Sequence, residues 1–195
     1  MGGGRMIHVF KDCLDYSMGQ RGENDLATIK ALLAGCESCI KSTPELDRLG
    51  IDYIATLRRG APVYVDAKTR KPGCARYWTN GPELAIEKWS VMPGGRYKTP
   101  QNLAKTGWTL DEAKLTDLIL YVWHPQDSEL AFLLPFQHLR MTARRYLAEW
   151  MRNYKVAQQD SGSWESEAVF VPAESVLDAL RETMAGRIPV AEVAL

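Results

Sequence analysis

Two short runs on either side of Arg58, Arg59 and Gly60 constrain this chain more than any other feature. Residues 51–57 and 62–69 are rich in Ile, Val, Tyr and Thr, the side chains that fit a pleated, half-buried surface. A three-residue loop whose last member is glycine suits a hairpin, because that position commonly lies in the left-handed region. In this form Leu57 faces Ala61, and counting outward sets Asp52 directly opposite Asp66. Strand alternation then brings Lys68 onto the same face. A loop of two or four residues would send the aspartates to opposite faces, so the arrangement depends on this register.

The flanking sequence supplies further elements. Apolar residues at Leu26, Ile29, Leu32, Leu33, Cys36 and Ile40 follow helical spacing and predict a helix over residues 22–41, broken by Pro44 and followed by a short capped turn over 43–47. Residues 117–123 and 130–135 predict a second hairpin across a polar turn at 124–128. Leu139, Ala143, Tyr146, Leu147, Trp150, Met151 and Tyr154 mark a helix over 137–155. A strand at 168–171 and a helix at 175–184 complete the series. Between them, residues 69–114 are punctuated by Pro72, Gly73, Gly81, Pro82, Pro93, Gly94, Gly95 and Pro100, which predicts an irregular insertion with one strand across 85–92. The expected fold is α/β, one domain over 1–195.

With 195 residues and 46% hydrophobic residues, the chain can bury one sizeable core. No run of about 18 apolar residues occurs, and the start Met-Gly-Gly-Gly-Arg lacks the apolar stretch of a signal peptide, so a soluble cytoplasmic protein is expected. Lys plus Arg and Asp plus Glu both number 24, which argues against a histone-like, strongly basic binder. Cys36 and Cys39 invite a zinc or redox reading. Only scattered Cys13, Cys74, His8, His124 and His138 stand by to complete a four-ligand site, so buried thiols are the expectation.

Asp52, Asp66 and Lys68 carry the chemistry. Two carboxylates opposed on neighbouring strands repel, and one lysine compensates only part of that charge. A divalent ion would supply the rest, and hard carboxylate oxygens suit Mg²⁺ or Mn²⁺. A lysine beside such a pair can orient an attacking water or offset charge in the transition state. Glu23 stands at the predicted helix start, within reach of the sheet, with Asn24 and Asp25 as substitutes. The competing reading is a surface salt-bridge group of little energetic weight.

Taken in order, Glu23, then Gly50-Ile51-Asp52-Tyr53, then Val63-Tyr64-Val65-Asp66-Ala67-Lys68-Thr69 resembles the PD-(D/E)XK nuclease superfamily, whose pattern is E, D, then (D/E)xK at the end of a hydrophobic strand. Ile51 stands where that pattern has proline, and Asp66 where Glu is common. The resemblance implies a central mixed sheet flanked by helices, restriction-endonuclease-like, with the irregular insertion following the catalytic hairpin. It also implies Mg²⁺ or Mn²⁺ held by Asp52, Asp66 and the Ala67 backbone carbonyl with Glu23 assisting, and catalysis supported by Lys68.

DNA is the expected partner. Residues 69–114 hold eight basic residues against four acidic ones, and Arg76, Lys88, Arg96 and Lys98 lie beside aromatic residues, a mixture that can track a nucleic-acid strand. Arg140 and Arg144 flank the apolar stripe of the 137–155 helix, where arginines could meet phosphates. Gln137 is a further candidate by its order after the core strands. Solvated faces and loop anchors explain the same residues without DNA. The overall expectation is Mg²⁺-dependent phosphodiester hydrolysis of DNA in a phage or mobile-element setting, by a homodimer if both strands are cut. The rivals are a nuclease-fold binding module without activity and a protein using Cys36 and Cys39.

Overall fold

The computed structural model describes residues 23–70, 73–79, 81–124 and 130–185. The first helix among the described residues, α1, spans Glu23–Leu32 and is followed by Gly35, whose φ of +77° is left-handed. The helix expected over 22–41 is therefore shorter than its spacing suggested. Cys36–Lys41 form an edge strand, β1, paired antiparallel with residues 53–57, and Ile40, counted in the helical stripe, is 59% exposed. Helical spacing continued by chance across a helix stop, and the ladder with the next strand decided the outcome.

A one-turn helix, α2, at Pro44–Asp47 leads to β2 (Tyr53–Leu57) and β3 (Pro62–Thr69). Their connection is the expected three-residue loop: the Gly60 amide donates to the Leu57 carbonyl at 2.7 Å, the Leu57 amide donates to Ala61, and Gly60 takes φ +74°. The ladder runs from Thr56↔Pro62 to Tyr53↔Val65, as the loop length requires.

The chain then forms a 3₁₀ turn (Cys74–Tyr77), β4 (Glu83–Val91), a second 3₁₀ turn (Gln101–Leu103), β5 (Lys105–Thr106), β6 (Leu118–Trp123) and β7 (Leu130–Pro135). After these come α3 (Phe136–Asn153), β8 (Lys155–Asp160), β9 (Glu165–Pro172) and α4 (Ala173–Ala185). The turn expected between β6 and β7 falls mostly outside the described residues. One sheet has the order β1-β2-β3-β6-β7 and is mixed, since β3 and β6 are parallel and its other neighbours antiparallel. The second has the order β5-β4-β9-β8. Among the described residues the architecture is thus mixed α/β, with two sheets and four helices.

Residues 69–114 are less irregular than their prolines and glycines suggested. The strand expected across 85–92 is present as β4, nine residues long and central to the second sheet. Its main partner, β9, lies some eighty residues downstream (Leu84↔Val171, Ile86↔Val169), a pairing with no local sequence signal. β8 was missed, because the helix expected to reach Lys155 ends at Asn153.

Strand alternation divides the first sheet into two faces. Tyr53, Ala55, Val65, Ala67, Leu120 and Val122 form one, covered by Ile29 and Leu26 of α1. Ile119, Tyr121 and Trp123 form the other, in a core shared with β4, β9, α3 and α4. Asp66 and Lys68 belong to this second face by alternation along β3.

Candidate functional site

β3 carries Asp66 beside Ile119 and Lys68 beside Tyr121 of its parallel neighbour. Asp66 is only 1% exposed. Its Oδ1 accepts from Lys68 Nζ at 2.6 Å, and its Oδ2 from Lys114 Nζ. Such a carboxylate cannot remain ionised out of water without close partners, and here it has two. Burial alone would raise its pKa; the two ammoniums and their hydrogen bonds outweigh that and hold it below the usual carboxylate range. Lys68 Nζ also lies 5.5 Å from the centre of the Trp108 ring. Trp108 is itself moored to the second sheet, its amide donating to Glu87 Oε2 at 3.0 Å.

Asp52 departs from the expected geometry. The paired register ends at Tyr53↔Val65, and the Asp52 amide donates to the Val65 carbonyl at 2.9 Å, so Asp52 lies outside the β2 ladder. Its carboxyl turns toward β3, where Oδ2 accepts the Ala67 amide at 2.8 Å. The outcome is still an adjacent pair of carboxyls. Burial pushes Asp52 up to about 7, the Asp66 charge and a side-chain hydrogen bond with Asp66 add to the rise, and Lys68 and the Ala67 amide oppose it. Near neutrality Asp52 therefore titrates beside a carboxylate that stays ionised.

These surroundings overturn the surface salt-bridge reading. The Asp66 side chain is 2% exposed and that of Lys114 11%, whereas a surface pair would be solvated on both sides. Lys114 was not anticipated. It belongs to no motif, and reaches the site because the crossover from β3 must return to the starting end of β3 to lay β6 down parallel. Its ammonium is lowered by burial and by the Lys68 charge, against the pull of Asp66.

Glu23 is the first residue of α1, but its side chain lies outside the described residues. The helix packs on the face of Tyr53 and Val65, opposite that of Asp66, and not toward the Asp66 face as expected from its position in sequence. Of the proposed substitutes, Asn24 is exposed, and buried Asp25 accepts from the Tyr53 hydroxyl at 2.9 Å on that same opposite face.

The residues expected to meet DNA are scattered among structural partners. Lys88 pairs with Glu167 at 3.2 Å, and Arg96 with Asp160 at 2.6 Å. Arg76 and Lys98 are exposed. On α3, Arg140 donates to the Asp111 carbonyl at 3.1 Å and to Gln137 Oε1, and Arg144 pairs with Glu112, so both arginines grip the turn just before Lys114. Cys36 and Cys39 lie on β1, where burial pushes the Cys39 thiol up to about 11, a poor setting for a thiolate ligand or nucleophile. His8 and Cys13 lie outside the described residues.

The adjacent Asp52 and Asp66 carboxyls are hard-oxygen donors, with both Asp66 oxygens engaged by ammoniums. Among the described residues no cluster of three or more His, Cys, Asp or Glu is poised for a metal. Mg²⁺ nevertheless needs only one or two carboxylates, since it keeps several of its waters, so the residues present fit such an ion. No helix among the described residues is long and apolar enough to cross a membrane. Compared with protein-family models, with curated proteins and with solved structures, the chain matches none.

Proposed function

We propose that this chain is a Mg²⁺- or Mn²⁺-dependent phosphodiesterase of restriction-endonuclease-like fold acting on DNA. One observation supports the reading: a buried Asp66 has Asp52 and Lys68 gathered around it, the three residues on which the PD-(D/E)XK resemblance rests. In this account Asp52, Asp66 and the Ala67 carbonyl hold the ion, and Glu23, whose helix covers the opposite face of the sheet, is left out of the set. The bound ion would polarise the scissile phosphate as a Lewis acid. Lys68, steadied by Asp66 and the Trp108 ring, presents positive charge where negative charge develops on the phosphoryl oxygens. Arg76, Arg96 and Lys98 are the exposed cations proposed to meet the DNA backbone, and two chains acting together would cut two strands.

A second reading has its own observation. Both Asp66 oxygens already bind ammoniums, so the charge is balanced without any ion, as would suit a nuclease-fold protein that binds DNA or another protein and does not cut. Cleavage of linear, nicked, branched and single-stranded DNAs in Mg²⁺ and Mn²⁺ separates the two. The enzyme reading expects cutting of at least one substrate, lost in Asp66→Ala and Lys68→Ala with the fold intact by circular dichroism. Absence of cutting across the panel, together with no measurable binding of either ion, would sink it.

A further inference from the structure

Lys114 reaches Asp66 from a stretch of chain tied on both sides. Downstream, the Leu115 amide donates to the Leu49 carbonyl at 3.2 Å, and the Thr116 hydroxyl donates to the Gly50 carbonyl. Upstream, Arg140 and Arg144 hold Asp111 and Glu112, and the Ala113 amide closes the turn on Asp111 Oδ1 at 2.9 Å. With its backbone fixed at these points, the freedom left to Lys114 lies in its flexible four-carbon stem.

That stem runs along Gly50. A Cβ at residue 50 would stand 2.8 Å from Lys114 Nζ and 2.9 Å from its Cγ, so the path of the ammonium to Asp66 exists because residue 50 has no side chain. Lys68 meets Asp66 from the same strand, whereas Lys114 arrives from the far end of the crossover. A divalent ion bound to Asp66 would meet Lys114 as a rival for Oδ2 and as a like charge in a site sparingly open to water.

Resting on the proposed metal centre, we propose that Lys114 is a displaceable internal cation, which neutralises Asp66 in the metal-free protein and must yield Oδ2 when a divalent ion binds. Lys114 thereby sets the affinity of the site for metal. The sign of the effect separates this role from a structural one: a residue that merely supports the site weakens metal binding when removed, whereas a competitor strengthens it.

The test is Mn²⁺ binding to the full chain, followed by the electron paramagnetic resonance signal of the free ion. Lys114→Met is expected to bind Mn²⁺ about tenfold tighter or more, since removing one nearby charge in a partly buried site is worth at least that. Lys114→Arg, which keeps the charge, should bind no tighter than wild type. Gly50→Ala keeps the lysine but crowds its stem, and should also tighten binding, which covers the case in which Lys114→Met does not fold. Equal or weaker binding by Lys114→Met, or by Gly50→Ala if only that variant folds, overturns the competition while leaving the metal centre standing. No Mn²⁺ binding by wild type or by any variant would remove the metal centre itself, and this inference with it.

Discussion

Replacing Asp52 by asparagine tests the carboxyl pair through the pH dependence of stability in metal-free protein. The Asp52 carboxyl moves from an ordinary 3.8 to about 7 on folding, because it is buried beside ionised Asp66. Between those values the folded chain holds a proton that the unfolded chain has released. Stability therefore falls as pH rises from about 4 to about 7, and the loss is complete above the folded value. At about 1.4 kcal/mol per pH unit, the interval from pH 5 to pH 7 corresponds to roughly 3 kcal/mol at most, and about 2 kcal/mol after allowing for partial solvent screening. Asparagine mimics the protonated acid: it still accepts from the Ala67 amide and can donate to Asp66, but never charges. Asp66 acts in the opposite sense and elsewhere, since its lowered carboxyl gives stability that is lost only as pH falls below about 4. Urea unfolding in EDTA at pH 5, 6, 7 and 8 should show Asp52→Asn gaining about 2 kcal/mol on wild type between pH 5 and pH 8, on top of the roughly 1 kcal/mol already gained at pH 5. A difference flat across that range would refute the carboxyl pair.

Other perturbations have their own expected outcomes. Asp66→Ala strands two ammoniums in a nearly dry site and should cost about 3–5 kcal/mol in chemical unfolding; a loss under about 1 kcal/mol would mean that water already screens the group. Gly50→Ala places a Cβ at φ +80° and should destabilise by about 1–2 kcal/mol, whereas a neutral result would show that the backbone relaxes there. Trp108→Ala removes the ring beside Lys68, a contact of about 0.5–1 kcal/mol, and should lower the cleavage rate more than it lowers the melting temperature. A melting loss with an unchanged rate would mean that the ring only packs.

Features encoded locally were legible in the sequence. The hairpin register follows from loop length and one glycine, and it brought Asp66 and Lys68 to one face as expected. Asp52 arrived beside Asp66 by another route, because its amide bonds to Val65 and takes it out of the ladder. Residues 36–41 read as helix because Cys36 and Ile40 prolong a stripe, whereas pairing with β2 is a tertiary effect that spacing does not encode. β4 was legible close to its place, at 85–92, but its pairing was not, because its partner lies far along the chain. Lys114 was missed for the same reason: its place at Asp66 is created by a crossover, and no spacing within residues 22–69 refers to it. The face on which α1 packs was equally beyond reach, and it separates the helix from the Asp66 side of the sheet.

The central claim, that Asp52 and Asp66 form a divalent metal centre, is tested most directly by an anomalous difference map from crystals soaked in Mn²⁺ near pH 8, where Asp52 is ionised. The account predicts one strong peak within bonding distance of both carboxylates and the Ala67 carbonyl, with the Lys114 ammonium withdrawn from Asp66. A map with no peak there, and Lys114 still seated on Asp66 at saturating Mn²⁺, would contradict it.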